Sequence, residues 1–137
     1  MILKALQGDS LTSGELKLYG FSPNDDPVGC IELYNYDPIN RRAAVGIVVS
    51  NEYRHRGYGQ SMINALTDFC RQNTSLHQIY ADIASTNLPS IRIFQRAGYQ
   101  HCATLRDWVI RANQFVDTYR YQLILEGTST PQQTIAP

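Results

Sequence analysis

The stretch that most constrains the fold of this chain runs from Val48 to Ser61. An apolar, β-branched segment ends there, and Gly57 and Gly59 follow with one residue between them. The apolar residues after the glycines recur with the spacing of one helix face. They are Met62, Ile63, Leu66, Phe69 and Cys70. The stretch therefore predicts a strand, a short glycine-containing loop and a helix, in that order.

The predicted loop has the chemistry of a phosphate-binding site. The first N–H groups of a helix lack intrahelical partners, and the helix dipole places partial positive charge beside them. Gly57 and Gly59 have no Cβ to keep a ligand away from the backbone, and Arg54 and Arg56 add positive charge. We therefore expect the backbone of this loop to bind phosphate groups.

Two common phosphate-binding motifs do not fit the loop. A P-loop requires Lys and then Ser or Thr after its last glycine, whereas Gly59 is followed by Gln60 and Ser61. A dinucleotide-binding fingerprint requires a third glycine where this chain has Met62. The pattern that remains is Arg-x-x-Gly-x-Gly, from Arg54 to Gly59.

The 137 residues predict one domain of mixed α and β structure, over residues 1–126. Short turns join the first three strands into an antiparallel meander, and the helix after the third strand makes the fourth strand parallel to the third. The predicted strands are 15–22, 28–36, 42–50, 78–85, 99–111 and 115–125, and the helices are 57–72 and 87–98. Residues 2–6 are predicted to be the end of a helix. The polar tail, 127–137, is predicted to be disordered.

Composition excludes several classes of protein. The formal net charge is zero, which disfavours binding to nucleic acid or to an anionic membrane. There is no apolar run long enough to span a membrane and no signal-peptide pattern. Cys30, Cys70 and Cys102 lie in apolar patterns without a CxxC motif, so we expect buried, reduced thiols in a cytoplasmic protein and no metal site.

Two motifs in this chain resemble those of the GNAT superfamily of N-acetyltransferases. The loop from Arg54 to Gly59 is similar to the acetyl-CoA pyrophosphate loop of that superfamily. The segment from Asn87 to Tyr99 is similar to its second signature, with Ser90 and Gly98 at matching positions. The resemblance covers residues 15–125 and is closest to the ribosomal-protein-alanine and polyamine acetyltransferases. It implies the GNAT fold, an α+β architecture in which an antiparallel meander leads into a parallel strand-helix-strand unit and a closing β-hairpin.

The resemblance also implies a reaction, which is transfer of the acetyl group of acetyl-CoA to a primary amine of a protein or of a small molecule. Val48 and Val49 would pair with the pantetheine arm as an added strand. The loop would hold the pyrophosphate, and the start of the second helix would contact the far side of the pantetheine. The implied cofactor-binding residues are Val48, Val49, Arg54, His55, Arg56, Gly57, Tyr58, Gly59, Gln60, Asn87, Ser90 and Phe94.

The general base is harder to place. Many relatives have a Glu two residues before a glycine on the strand that precedes the loop, but here Ala44 stands there, ahead of Gly46. We expect Glu32 to serve instead, because a charge within an apolar strand is costly unless it has a role. The alternative is that Glu32 faces solvent or pairs with a neighbouring arginine, Arg41 or Arg42. Asp82 is a second candidate base.

The general acid is missing from its usual position. Relatives have a Tyr on the second helix where this chain has Phe94, which carries no proton to donate. Tyr34, Tyr58 and Tyr99 remain open as substitutes. His55 and His101 are expected to be exposed to solvent rather than catalytic.

The resemblance implies two further departures. Relatives carry a first strand and a pair of helices before the position of Glu15, where only 14 residues precede it here. This chain is either a fragment or a short variant, in which another subunit of a homodimer or an open groove replaces that wall of the acceptor site. The alternative to an enzyme is a structural or regulatory CoA-binding module with little or no transferase activity.

Overall fold

The computed structural model of this chain describes residues 2–5 and 14–125, which form one mixed sheet with two helices. The strands are β1 (Ile2–Ala5), β2 (Leu16–Phe21), β3 (Pro27–Asp37), β4 (Arg42–Val49), β5 (Gln78–Ala84), β6 (Gln100–Arg111) and β7 (Gln114–Ile124). The helices are α1 (Tyr58–Asn73) and α2 (Leu88–Arg96), and a short 3-10 turn, Asn51–Tyr53, precedes α1. The strand order in the sheet is β1-β2-β3-β4-β5-β7-β6. Neither helix is long and apolar enough to cross a membrane, in the part of the chain that the structure describes.

The predicted meander and parallel pair are confirmed. Strands β2, β3 and β4 pair in antiparallel fashion. Strands β4 and β5 are parallel, but their pairing extends only from Arg42 opposite Gln78 to Ala44 opposite Tyr80. Among the described residues, no strand pairs with the β5-facing edge of β4 from Val45 to Val49, so the sheet opens at the end that leads into the loop before α1.

Both helices pack on one face of the sheet. Four residues of the predicted apolar face of α1 are buried, namely Met62, Ile63, Leu66 and Cys70. The fifth, Phe69, departs from the prediction and is 41% exposed, while Phe94 of α2 is 1% exposed. Burial also raises the pKa of the Cys70 thiol to about 12, because a thiolate is poorly stabilised in an apolar core. The core residues include Ile31, Leu33, Val45, Met62, Ile63, Leu66, Cys70, Ile79, Ala81, Phe94 and Tyr99.

The expected helix end at residues 2–6 is wrong, and so is the expectation that no strand precedes β2. Residues Ile2–Ala5 form β1, which pairs antiparallel with β2 from Ile2 opposite Phe21 to Ala5 opposite Leu18. Four residues are too few for a stable helix, whereas the free edge of β2 offers backbone partners. No helix precedes β2 among the described residues.

One cysteine also departs from expectation. Cys70 is buried and Cys30 is half-buried, but Cys102 is exposed. Cys102 lies at a register shift between His101 and Ala103 on β6, the edge strand of the sheet, and an edge strand is not covered by a neighbour. The boundary at residue 126 and the predicted tail, 127–137, lie outside the described residues.

Candidate active site

The loop before α1 carries several backbone N–H groups that form no backbone hydrogen bond among the described residues. His55 and Gly57 have φ angles of 64° and 86°, in the left-handed region. Within the described residues, the N–H groups of His55, Arg56 and Gly57 donate to no backbone carbonyl. Helix α1 then begins at Tyr58, which adds the unpaired N–H groups of its first turn. Successive N–H groups in such a turn form an anion-binding concavity.

This loop forms one wall of a groove with a volume of about 630 Å³. The end of β4 and the start of α2 form the other walls. The lining residues include Arg54, Arg92 and Arg96 but no acidic side chain, so the groove is positively charged. The residues that line it are Ile47, Val48, Val49, Tyr53, Arg54, His55, Gly57, Tyr58, Gly59, Gln60, Asn87, Pro89, Ser90, Arg92, Ile93 and Arg96.

All of the predicted cofactor-binding residues except Arg56 and Phe94 line this groove. The Arg56 guanidinium lies over the ring of Tyr53, 5.4 Å from its centroid, beside the groove. Phe94 is buried and packs edge-on against Tyr99, with 5.0 Å between the ring centroids. The structure thus places the loop residues together, whereas Phe94 packs into the core and borders a neighbouring cleft rather than the groove.

Sequence reasoning missed Arg92 and Arg96. Both lie on α2 and are four residues apart, so they share a helix face with each other and bring two guanidinium groups to the groove. That spacing is readable in the sequence. However, the spacing shows only that the two arginines share a helix face. It does not show that this face borders the groove.

The two glycines of the loop have different roles. A Cβ built on Gly57 meets nothing within 4 Å, so it would project into open space. A Cβ on Gly59 would lie 2.9 Å from Cδ1 of Ile93 and 3.5 Å from Cγ2 of Val49. The expectation that both glycines clear space for a ligand therefore needs correction, because Gly59 instead allows α1 to pack closely against α2 and β4.

One buried polar atom in the groove has no partner. The side-chain nitrogen of Gln60 donates to the Ile93 carbonyl at 3.1 Å, which links α1 to α2, and it also approaches Oδ1 of Asn64 at 3.3 Å. The other end of the same amide, Oε1, is buried without a hydrogen bond. A buried acceptor without a donor is costly, and a ligand with amide N–H groups, such as pantetheine, would satisfy it. The groove therefore fits CoA in charge and in hydrogen-bonding capacity.

A smaller cleft of about 190 Å³ opens beside the groove, where β4 and β5 stop pairing. It shares Ile47, Asn87 and Ser90 with the groove, so the two spaces adjoin. Asn87 also caps α2, since its side-chain oxygen accepts a hydrogen bond from the N–H of Ser90 at 3.3 Å. The cleft is lined by Val45, Gly46, Ile47, Ala81, Asp82, Ile83, Ala84, Asn87, Ser90, Phe94 and Arg111.

Glu32 lies one strand away from this cleft. It is half-buried on β3, opposite Lys17 on β2 and Gly46 on β4. It lines neither the groove nor the cleft. In the part of the chain that the structure describes, Glu32 forms no ion pair with Arg41 or Arg42, and Arg42 pairs with Asp37 at 3.4 Å.

Asp82, the second candidate base, lines the cleft but is held in an ion pair. Both of its oxygens accept hydrogen bonds from Arg120, from Nε at 2.8 Å and from Nη2 at 2.9 Å. These hydrogen bonds raise the pKa of Arg120, whose guanidinium also lies 4.5 Å from the ring centroid of Tyr80. Both oxygens of Asp82 are therefore committed to Arg120, which gives Asp82 a structural role in an ion pair.

The three tyrosines left open as acids are placed differently. Tyr99 is buried, its hydroxyl lies 3.1 Å from Oγ1 of Thr67, and burial raises its pKa to about 12. Tyr58 lines the groove near the start of α1. Tyr34 lies beside Gly46, because a Cβ on Gly46 would be 3.5 Å from its ring, but Tyr34 itself does not line the cleft. Burial, and then the charge of Asp82, raise the pKa of Tyr34, so its hydroxyl stays protonated at neutral pH.

The expected exposure of the two histidines is confirmed. His55 and His101 are both exposed. The ring of His101 lies against those of Tyr119 and Tyr121, with centroids 4.6 Å and 5.4 Å away. These contacts give it a packing role on the outer strands.

Comparisons with solved structures identify the fold. The structure of spermidine N-acetyltransferase from Vibrio cholerae in complex with CoA and spermine superimposes with a TM-score of 0.79, at 20% identity, over 83% of this chain and 68% of that one. A dodecameric structure of spermidine N-acetyltransferase from the same organism superimposes with a TM-score of 0.78, also at 20% identity, over 82% of this chain and 66% of that one. These similarities establish a common architecture.

Sequence comparisons give distant relatives of known and unknown acceptor. Spermidine N(1)-acetyltransferase of Vibrio cholerae is 26% identical over 72 residues, which is 53% of this chain and 42% of that protein. The L-amino acid N-acetyltransferase AaaT of Escherichia coli is 22% identical over 77 residues, 56% of this chain and 48% of that protein. The uncharacterized N-acetyltransferase p20 of Bacillus licheniformis is 24% identical over 100 residues, 73% of this chain and 56% of that protein. The chain spans between 42% and 62% of the length of the curated relatives it matches.

A family model decides the assignment. The model of the acetyltransferase (GNAT) family matches residues 5–99, which include the loop before α1, the whole of α2 and both strands that border the cleft. That match covers more than half of the chain. The chain therefore belongs to the GNAT family of acetyltransferases.

Proposed function

We propose that this chain transfers the acetyl group of acetyl-CoA to a primary amine. The observation that carries the proposal is the positively charged groove, whose backbone N–H groups lead directly to a cleft between two diverging strands. CoA has phosphates at one end and a thioester at the other, and the groove and the cleft present matching chemistry in that order. Membership of the acetyltransferase family supports the same function.

The phosphates of the ligand would bind at the loop before α1. The N–H groups of His55, Arg56 and Gly57 and the first turn of α1 donate hydrogen bonds there. Arg54 is held in place because its Nε donates to the Val49 carbonyl at 3.1 Å. Arg92 and Arg96 add positive charge from the opposite wall.

The pantetheine arm would lie along the open edge of β4. Among the described residues, Val45 to Val49 have no strand partner on that side, so the edge at Val48 and Val49 can pair with an extended ligand as a neighbouring strand would. The Val49 carbonyl already accepts from Nε of Arg54, so the ligand would share or displace that hydrogen bond. Val48 is 61% exposed, as expected of a residue on an uncovered edge. The unpaired oxygen of Gln60 and the side chains of Asn87 and Ser90 would contact the arm from the side of the helices.

Acetyl-CoA supplies an acetyl group activated as a thioester. As the amine nitrogen bonds to the acetyl carbon and the carbon–sulfur bond breaks, one proton leaves the amine and one reaches the thiol. We assign removal of the amine proton to Glu32, directly or through water. Glu32 is half-buried, has no ion pair with any residue of 2–5 or 14–125, and lies opposite Gly46 of the cleft. Tyr34 is our choice for the acid, since Tyr99 is committed to the core.

The names of the relatives do not indicate a single class of acceptor. One is named for spermidine and another for L-amino acids, and the two classes differ in charge.

We also propose that the chain forms a homodimer. The hairpin of β6 and β7 carries large apolar side chains on its surface, with Trp108, Ile110 and Phe115 between 57% and 63% exposed. Light scattering of the purified chain checks this proposal, and a monomer at all concentrations would contradict it.

A second candidate function is CoA binding without transfer. It is favoured by Phe94, which is buried against Tyr99 and cannot donate a proton, and by Ala44 at the position of the usual base. A thiol-release assay with acetyl-CoA and a panel of amines separates the two functions, with calorimetry to measure CoA binding. Amine-dependent thiol release supports the transferase. CoA binding without such release would leave only the binding module.

A further inference from the structure

The charges that line the small cleft do not cancel. Asp82 and Arg111 are the two charged residues that border it. The Asp82 carboxylate is neutralised by Arg120, whose guanidinium holds both oxygens at 2.8 Å and 2.9 Å. The charge left to face an entering acceptor is therefore that of Arg111.

Arg111 lies at the turn of the β6–β7 hairpin, which holds it at the cleft. It is the last residue of β6, and Ala112 and Asn113 follow with φ angles of 52° and 64°, which give the tight turn into β7. Nη1 of Arg111 donates to the Ile110 carbonyl at 2.9 Å. Within residues 2–5 and 14–125, no carboxylate lies within 4.0 Å of its nitrogens. A guanidinium has five N–H donors, so most of them are available to a ligand.

We propose that Arg111 binds a carboxylate on the acceptor, so that the acceptor is a small amine that carries a carboxylate, such as a free amino acid, rather than a polyamine. This inference rests on the proposed acetyl transfer. A guanidinium binds a carboxylate through two parallel hydrogen bonds, whereas it repels an ammonium group. A polyamine would bring further positive charge to a site whose only acidic residue is already paired.

The size of the cleft agrees with such an acceptor. Its volume of about 190 Å³ is below the roughly 300–1,000 Å³ of pockets that enclose larger ligands. Gly46 and Ala81 line it, and these small residues leave room for an acceptor where the strands diverge. A compact amine with a neighbouring carboxylate would reach both Arg111 and the end of the groove.

The test compares pairs of acceptors that differ only at the carboxylate. Each L-amino acid is assayed beside its amide, and kcat/KM is measured for both by thiol release. An amide and its acid differ in the basicity of the amine, so the informative quantity is the change in the acid-to-amide ratio between variants. We expect Arg111→Gln to lower this ratio about tenfold, the size expected for a charge-assisted hydrogen-bonded pair. Arg111→Lys keeps the charge and should lower the ratio less.

Arg106→Gln is the matched control. Arg106 is exposed on the same strand, β6, and does not line the cleft, so its loss changes the net charge by the same amount without touching the site. The control should keep the wild-type ratio, and melting curves confirm that each variant is folded.

Two results would overturn the inference. If Arg111→Gln and Arg106→Gln change the ratio equally, or if spermidine is a better acceptor than every amino acid, Arg111 does not select a carboxylate. Both results leave the acetyl transfer itself intact. If no amine of any class releases thiol, the proposed function fails and this inference fails with it.

Discussion

Replacing Gly57 by alanine tests the phosphate-binding loop with little disturbance to the fold. A Cβ at Gly57 meets no protein atom within 4 Å, and it would project into the space where a ligand phosphate must approach the backbone. In the Gly57→Ala variant, strain at this position comes from the φ angle of 86°, which an alanine rarely adopts, and not from a steric clash. Gly59 is unsuitable for this test, because its Cβ would press on Ile93 and change helix packing.

The expected magnitudes can be estimated separately for stability and for binding. An alanine held in the left-handed region costs about 1–2 kcal/mol, which for a chain of 137 residues lowers Tm by roughly 3–8 °C. Displacing a phosphate from two N–H donors removes about 3 kcal/mol of charge-assisted hydrogen bonding. That loss corresponds to an increase in Kd of about a hundredfold.

Isothermal titration calorimetry with CoA measures the effect, and Gly98→Ala is the control. Gly98 has a φ angle of 93°, and its Cβ would make only an ordinary contact, at 3.8 Å from Leu123. It lines neither the groove nor the cleft. We therefore expect a similar fall in Tm in both variants and weaker CoA binding in Gly57→Ala alone. Equal CoA affinity in the two variants would refute the phosphate-binding role of the loop.

Three further predictions concern residues near the cleft. Glu32→Gln should lower turnover by about 10²-fold or more and leave CoA affinity unchanged; full activity from about pH 6 to about pH 9 would remove Glu32 as the base. Phe94→Tyr should raise turnover about tenfold if the new hydroxyl reaches the cleft, or lower stability by about 1–3 kcal/mol if it stays buried and unpaired. Kinetics beside a melting curve distinguish these outcomes, and a stable variant with unchanged turnover would show that another group donates the proton. The pKa of Tyr99 is raised from 10.0 to about 12 in the folded chain, so the unfolded chain loses this proton first and stability should fall as pH rises through that range. In Tyr99→Phe that decline should be smaller in denaturation measured at high pH, while stability at neutral pH falls by about 1 kcal/mol because Thr67 loses its partner; an unchanged decline would contradict this.

The parts of the fold that follow a regular period were predictable from the sequence. The apolar face of α1, the alternation in the central strands and the position of Asn87 as a helix cap all depend on neighbours in the chain. Strand β1 depends on a partner across the sheet, the free edge of β2, which a short apolar stretch does not reveal. Local pattern therefore predicted helices and strands, and missed the element whose conformation is decided by pairing.

In the candidate site too, the residues set by local sequence were predictable and those brought together by packing were not. The loop residues were predictable because a glycine-rich helix start has its chemistry within one short segment. Arg92, Arg96 and Arg111 were not, since only the packing of α2 and the turn after β6 bring them to the groove and the cleft. The ion pair between Asp82 and Arg120 joins residues 38 positions apart, so no local pattern indicates that this carboxylate is already paired.

The proposed acetyl transfer is tested most directly by following an isotopically labelled acetyl group from acetyl-CoA to its product. The full chain is incubated with labelled acetyl-CoA and an amino acid, and the products are identified by mass spectrometry. We expect the amine to gain one labelled acetyl group, at a rate that Gly57→Ala lowers. Label that stays on CoA, or that is released only as acetate, would contradict the proposed transfer.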